Sequence, residues 1–178
     1  MIWNPFRKLQ KVEEKRSMPT VKFAPDRVTP DVQRVIARTI DGLPDVTAEQ
    51  RPALVAGAIE ACRRGRDLHH FASAAISVGI EKKRAGSIAL YVTNVAWSRI
   101  DVAKQLSLGL TTAKWSWSHT DCGSRDPGSK MIAEDHRKAD GKKYRLDTGL
   151  KIKGEYVFPG EQEGCKCTSQ VIVPGFDD

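Results

Sequence analysis

No run of about 18 apolar residues occurs in this 178-residue chain, which leaves no segment able to cross a bilayer as a helix. Cysteine is scarce. Four residues of that type are too few for the disulfide framework of a small secreted domain. The opening "MIWNPFRKLQKVEEKR" carries charge where a secretory signal would need its apolar stretch, so the expected compartment is cytosolic and the thiols are expected to be reduced. Several catalytic signatures are also missing: G-x-S-x-G, the phosphate-binding loop, H-E-x-x-H, and a G-x-G-x-x-G following a strand. The expectation is a protein that is not an enzyme. A nucleophilic Cys165 or Cys167 with His136 as base and Asp121 or Asp140 as orienter can be drawn, but no signature supports it.

What is present is a soluble composition, with 40% hydrophobic residues, a mean hydropathy of -0.43 and a net charge of +7. The charge is uneven. Residues 1–110 hold 18 Lys and Arg against 11 Asp and Glu, whereas residues 111–178 hold 11 of each. A basic half suits an acidic partner, either nucleic acid or an acidic protein face; a solvated helical surface is the competing reading.

Three regions follow along the chain. Residues 1–28 combine Pro5, Pro19 and Pro25 with the run "RKLQKVEEKRS", which predicts an extended basic arm with Trp3 and Phe6 as anchoring aromatics. Residues 29–109 read as a helical domain. Thr29 and Pro30 open a first helix with Val32, Val35, Ile36 and Ile40 on one stripe, and Gly42 and Pro44 stop it. Thr47 and Gln50 have capping-box spacing before a second helix that carries Leu54, Val55, Ala58, Ile59 and Cys62, the last read as a small buried hydrophobe. A third segment runs through "DLHHFASAAISVGI". A longer amphipathic helix runs through "KRAGSIALYVTNVAWSRIDVAKQLSLG", with Ile88, Tyr91, Val92, Val95, Arg99 and Ala103 at helical spacing and Gly109 at its end. His69 and His70 are adjacent and lack a Cys or His at i+3 or i+4, so they are read as ordinary core or surface residues.

Residues 110–178 change character. Short β-leaning runs, "KWSWSH", "KKYRL", "EYVF" and "SQVIVP", are separated by the turn signals "DPGS", "ADGKK" and "FPGEQEG". The fold class expected is therefore α+β: a helical N-terminal part with a long amphipathic helix, then a small irregular β-rich module. Strands this short bury little apolar area, so another force must hold the loops.

Cys122, His136, Cys165 and Cys167 are the candidates for that force, with His119 as an alternative ligand. Zinc takes four N or S ligands in a tetrahedron, and Gly164 before Cys165 lets both thiols of the Cys-x-Cys pair turn toward one centre. Loops of about 14 and about 29 residues would close through the metal, turning binding energy into folding energy. Two other readings stay open: buried thiols that merely pack, and redox or catalytic thiols.

The C-terminal half also resembles the phage head morphogenesis, or Mu F-like, domain of minor capsid proteins. The resemblance rests on "AGSIALYVTNVAWSRID", "LGLTTAKWSWSH", "TDCGSRDP", "EDHRKADGKKY" and "GEYVFPGEQEGCKCTSQVIVPGF", in that order over residues 85–176. The family's polar signature falls on Asp121, Arg125, His136, Gly141, Cys165 and Cys167; Cys122 is an addition here. The resemblance implies a minor head protein of a tailed bacteriophage or phage-like particle, meeting the portal protein or major capsid protein and packaged DNA, with no membrane role. It would reside in the virion, at the head interior or portal vertex, and in the host cytoplasm during assembly. The alternative implied is a nucleic-acid-directed enzyme or toxin, which the chain length disfavours. Within this resemblance the expected cofactor is a structural Zn2+.

Overall fold

The computed structural model describes residues 27–119, residue 122 and residues 127–176, with the side chains of 127–132 excepted. The arm expected over residues 1–28, including Trp3 and Phe6, falls outside the described residues except for its last two; Asp121 and Arg125 fall outside them as well. The architecture is α+β, with a helical N-terminal part followed by helix and small antiparallel sheets in the C-terminal part.

Four helices build the first core: α1 (Pro30–Asp41), α2 (Arg51–Arg63), α3 (Leu68–Ser77) and α4 (Lys82–Ser107). The Thr29 hydroxyl accepts the Val32 amide and Pro30 opens α1, satisfying donors that the first turn leaves without intrahelical partners. Val32, Ile36 and Ile40 are buried at i, i+4 and i+8, with Val35 half-buried beside them. Ahead of α2, the Gln50 carboxamide accepts the Thr47 amide at 3.0 Å and donates to the Val78 carbonyl at 2.9 Å, which ties the start of α2 to the end of α3. Asp67 caps α3 and Glu81 caps α4 through their carboxylates.

Phe71, Leu54, Ile88 and Val92 are fully buried between these helices, and Cys62 packs with them. Gly57 on α2 lets α3 approach closely: a Cβ there would lie 2.9 Å from the Ala74 Cβ. The buried stripe of α4 runs from Ala85 through Ile88, Val92, Val95 and Ile100 to Val102; Ala103, expected on that stripe, is exposed. His69 is exposed and His70 half-buried.

Val102 belongs to a second core, so α4 serves both. This core lies under a three-stranded antiparallel sheet of order β2-β1-β5, made of β1 (Thr112–Ser116), β2 (Lys143–Arg145) and β5 (Thr168–Val171). Trp115 opposes Ser169, and Ala113 opposes both Tyr144 and Val171, placing the buried Ala113, Trp115 and Tyr144 on the inner face. A separate hairpin joins β3 (Leu150–Ile152) to β4 (Glu155–Val157). Its two-residue turn puts Lys153 at φ 49° and Gly154 at φ 95°, the twist that a tight right-handed hairpin requires.

One helix of this module has no counterpart in the sequence reading. α5 (Pro127–Ala139) carries His136 in its last turn. Lys153 on the hairpin reaches the Asp135 carboxylate at 2.7 Å, fixing α5 one residue away from that histidine.

Candidate metal centre

Three segments converge on one buried point. Cys122 comes from the loop after β1, His136 from α5, and Cys165 and Cys167 from the turn before β5. All four residues are buried, at 1%, 1%, 5% and 4% exposure in that order. One ligand atom from each lies within 4.8 Å of every other, so the group could hold a metal ion.

The individual distances constrain the geometry further. Cys122 Sγ is 3.4 Å from Cys167 Sγ. His136 Nδ1 is 3.4 Å from Cys165 Sγ and 3.8 Å from Cys167 Sγ. A tetrahedral zinc with bonds of 2.0 to 2.3 Å has S···S edges of about 3.8 Å and S···N edges of about 3.5 Å. The three close pairs lie within about 0.4 Å of those edges, and the widest separation needs to contract by only about 1 Å. The two sulfurs of Cys122 and Cys167 stand well outside the about 2.05 Å of a disulfide, and all four cysteines of the chain are free thiols.

Turn chemistry explains why the Cys-x-Cys thiols face inward. Phe158-Pro159-Gly160-Glu161 is a turn with Pro second and Gly third, Gly160 at φ 83°, closed by the Glu161 amide on the Phe158 carbonyl at 3.2 Å. A second turn follows at once: Gly164 adopts φ 76° and the Cys165 amide donates to the Gln162 carbonyl at 2.9 Å. These two reversals leave backbone amides aimed at sulfur. The Gly160 and Cys167 amides act to lower the Cys165 thiol, and the Lys166 amide acts in the same sense on Cys122. Amide donors of this kind favour thiolate over thiol, the form a metal ligand must take.

The thiols are accordingly unequal. The neighbouring Cys167 thiol and the amide donors hold Cys165 below the ordinary thiol range against the opposing effect of burial. Cys167, sharing that hydrogen bond and desolvated, is pushed up to about 12, and burial raises Cys122. Three thiols crowded in an apolar pocket cannot all ionise unaided. A divalent cation at their centre would remove that conflict.

Trp115 packs its ring against the imidazole of His136 with centroids 4.9 Å apart, and Tyr144 stands edge-on to Trp115. The surroundings of the ligands are therefore aromatic and closed. His119, the alternative ligand, is exposed, stacks on Trp117 at 4.8 Å and stands apart from the group of four. Asp140 accepts the Trp117 amide at 2.9 Å. Gly141, at φ 72°, donates its amide to the Trp115 carbonyl at 2.8 Å and so closes the turn between α5 and β2.

Sequence reasoning missed the helix that carries His136 and the amides that face the sulfurs. The first could have been found in "MIAEDHRKA", which has good helix formers and ends at "DG"; the second had only the Pro-Gly turn as a signal. No family model matches the chain, and no curated protein or solved structure matches it either.

Proposed function

We propose that this chain is a non-enzymatic assembly protein, a minor head protein of a tailed bacteriophage or phage-like particle, whose C-terminal module is a rigid knob stapled by one zinc ion. The role in head morphogenesis is supported by the order and spacing of the motifs from residue 85 to residue 176. The zinc staple is carried by one observation: three thiols and one imidazole, from three separate segments, lie buried within 4.8 Å of one another.

Cys122, His136, Cys165 and Cys167 would hold the ion in a Cys3His set, one of the ligand sets of structural zinc. With four protein ligands, such a site keeps no position for water or substrate, which is the arrangement of a staple and not of a catalytic metal. The thin sheet supplies the reason to have one: its strands run only three to five residues. The partners in this reading are the portal protein or the major capsid protein, with packaged DNA as a further contact of the basic half.

Metal analysis of the purified chain tests the staple, with one zinc per chain expected; a chain that folds fully without metal refutes it. Co-purification with a portal protein tests the assembly role. Deletion of residues 1–28 should weaken that association if the arm is the anchor, and equal retention of the deleted form would remove the arm from the proposal.

A further inference from the structure

The segment Phe158–Gly164 runs directly into Cys165 and is gripped by α4 at three points. The Tyr91 hydroxyl donates to the Glu161 carbonyl at 3.1 Å, spanning 70 residues of sequence. The Arg99 guanidinium pairs with the Glu161 carboxylate and lies over the Phe158 ring, 4.0 Å from its centroid. Arg84 pairs with Glu163 and, by a two-pronged contact at 2.5 and 2.8 Å, with Asp45 of the α1–α2 connection. Glu161 also accepts the Phe158 amide at 3.0 Å, holding the turn from inside.

The same segment ends in the turn that sets Cys165, whose amide donates to the Gln162 carbonyl at 2.9 Å. One short strap thus makes the contacts to α4 and leads straight into Cys165 and Cys167, two ligands of the centre. Resting on the metal reading of the four ligands, we propose that Tyr91, Arg99 and Glu161 are positioning residues for the metal, setting how tightly it is held although none touches it.

The physical basis is pre-organisation. Cys165 follows directly on the Pro159–Gly160 and Gln162–Cys165 turns, and Glu161 fixes the first of them through the Phe158 amide while Arg99 and Tyr91 fix Glu161. Loosening the grip lets these turns move and carries the Cys165 sulfur off the place it holds among the other three ligands. Coupling of this kind is reciprocal, so the metal in turn tightens the strap on α4.

The test measures zinc loss from the full chain to an excess of a chromophoric chelator, with cobalt(II)-loaded protein as a spectroscopic companion. Tyr91→Phe removes one hydroxyl and nothing else; it should speed zinc loss about fivefold, the value of one hydrogen bond. Glu161→Gln removes the ion pair and should speed it about tenfold, the low end for partners outside the ligand shell. Arg99→Lys retains a cation for Glu161 and should restore part of the loss seen in Arg99→Ala. Arg64→Ala, which breaks the exposed Glu60–Arg64 pair on α2, serves as the control and should leave the rate unchanged.

In the cobalt form, the thiolate-to-metal absorption should shift in Glu161→Gln, a change that mere loss of stability would not produce. If zinc binds at one per chain but the Tyr91 and Glu161 variants release it at the parent rate with the parent cobalt spectrum, the positioning role is overturned while the staple stands. Failure of the parent chain to bind zinc or cobalt at all would overturn both.

Discussion

The Trp115 indole and the His136 imidazole are packed ring against ring, 4.9 Å between centroids, so a tryptophan reports directly on the candidate ligand. Filling the site with cobalt(II) should quench the emission of Trp115, whereas zinc, which has no partly filled d shell, should leave it bright. Trp115→Phe should abolish most of the cobalt effect. An emission indifferent to cobalt in a metal-loaded sample would show that the ion sits elsewhere.

Removal of a ligand should unfold the C-terminal module selectively. Zinc at about a thousand times its dissociation constant stabilises a folded domain by about 4 kcal/mol. His136→Ala and Cys167→Ser should lose that increment, with thermal unfolding no longer responding to added zinc. The helices should persist, because the core of α1 to α4 is built from other residues. Far-UV circular dichroism that collapsed in proportion across the whole chain would contradict this separation.

Two glycines on helices should respond oppositely to the same change. At Gly86 on α4 a Cβ meets nothing within 4 Å, so Gly86→Ala should raise stability by about 1 kcal/mol through helix propensity. At Gly57 the Cβ would press on Ala74 Cβ at 2.9 Å and Phe71 Cδ2 at 3.4 Å. Overpacking of about 1 to 3 kcal/mol then exceeds the propensity gain, and Gly57→Ala should be destabilising. Urea midpoints of the two variants on either side of the parent value would confirm the contrast.

Cys62 gives a pH dependence whose sign is fixed by its burial. Desolvation pushes its thiol up to about 11, above its ordinary value of 9.0. The folded chain therefore keeps a proton that the unfolded chain releases. The contribution is fully present below pH 9 and is lost as pH rises through 11. Cys62→Ala should flatten the fall in stability over that window, and Cys62 in the parent should resist alkylation at pH 8. Rapid labelling there would argue that α2 opens readily.

The extent to which all this was legible beforehand varies by element. Thr29, Pro30 and the Val32–Ile36–Ile40 stripe announced α1, because caps and helical periodicity are local properties of a chain. β1, β2, β4 and β5 coincide with the β-leaning runs to within a few residues. β3 and α5 escaped, α5 because it begins at a Pro-Gly pair that reads as a turn. The four candidate ligands were named from residue type and order alone. Their surroundings were not, since the pairing of Arg99 with Glu161 and of Tyr91 with the same residue depends on α4 meeting a segment 70 positions away. No local pattern records such a meeting.

That long separation bears on how the chain folds. Most contacts among α1 to α4 join successive helices, α1 against α4 being the longest in range, whereas β1 must find β5 and Tyr91 must find Glu161 across most of the C-terminal half. Local helical contacts form quickly and distant strand pairing slowly, because the chain entropy of closing a long loop must be met first. The helical half should therefore be in place early, with α4 waiting as a rail on which the later module condenses. Stopped-flow refolding should show a fast helical phase by far-UV circular dichroism and a slower phase in the emission of the buried Trp115. Coincident phases at a single rate would mean instead that the two cores form as one nucleus.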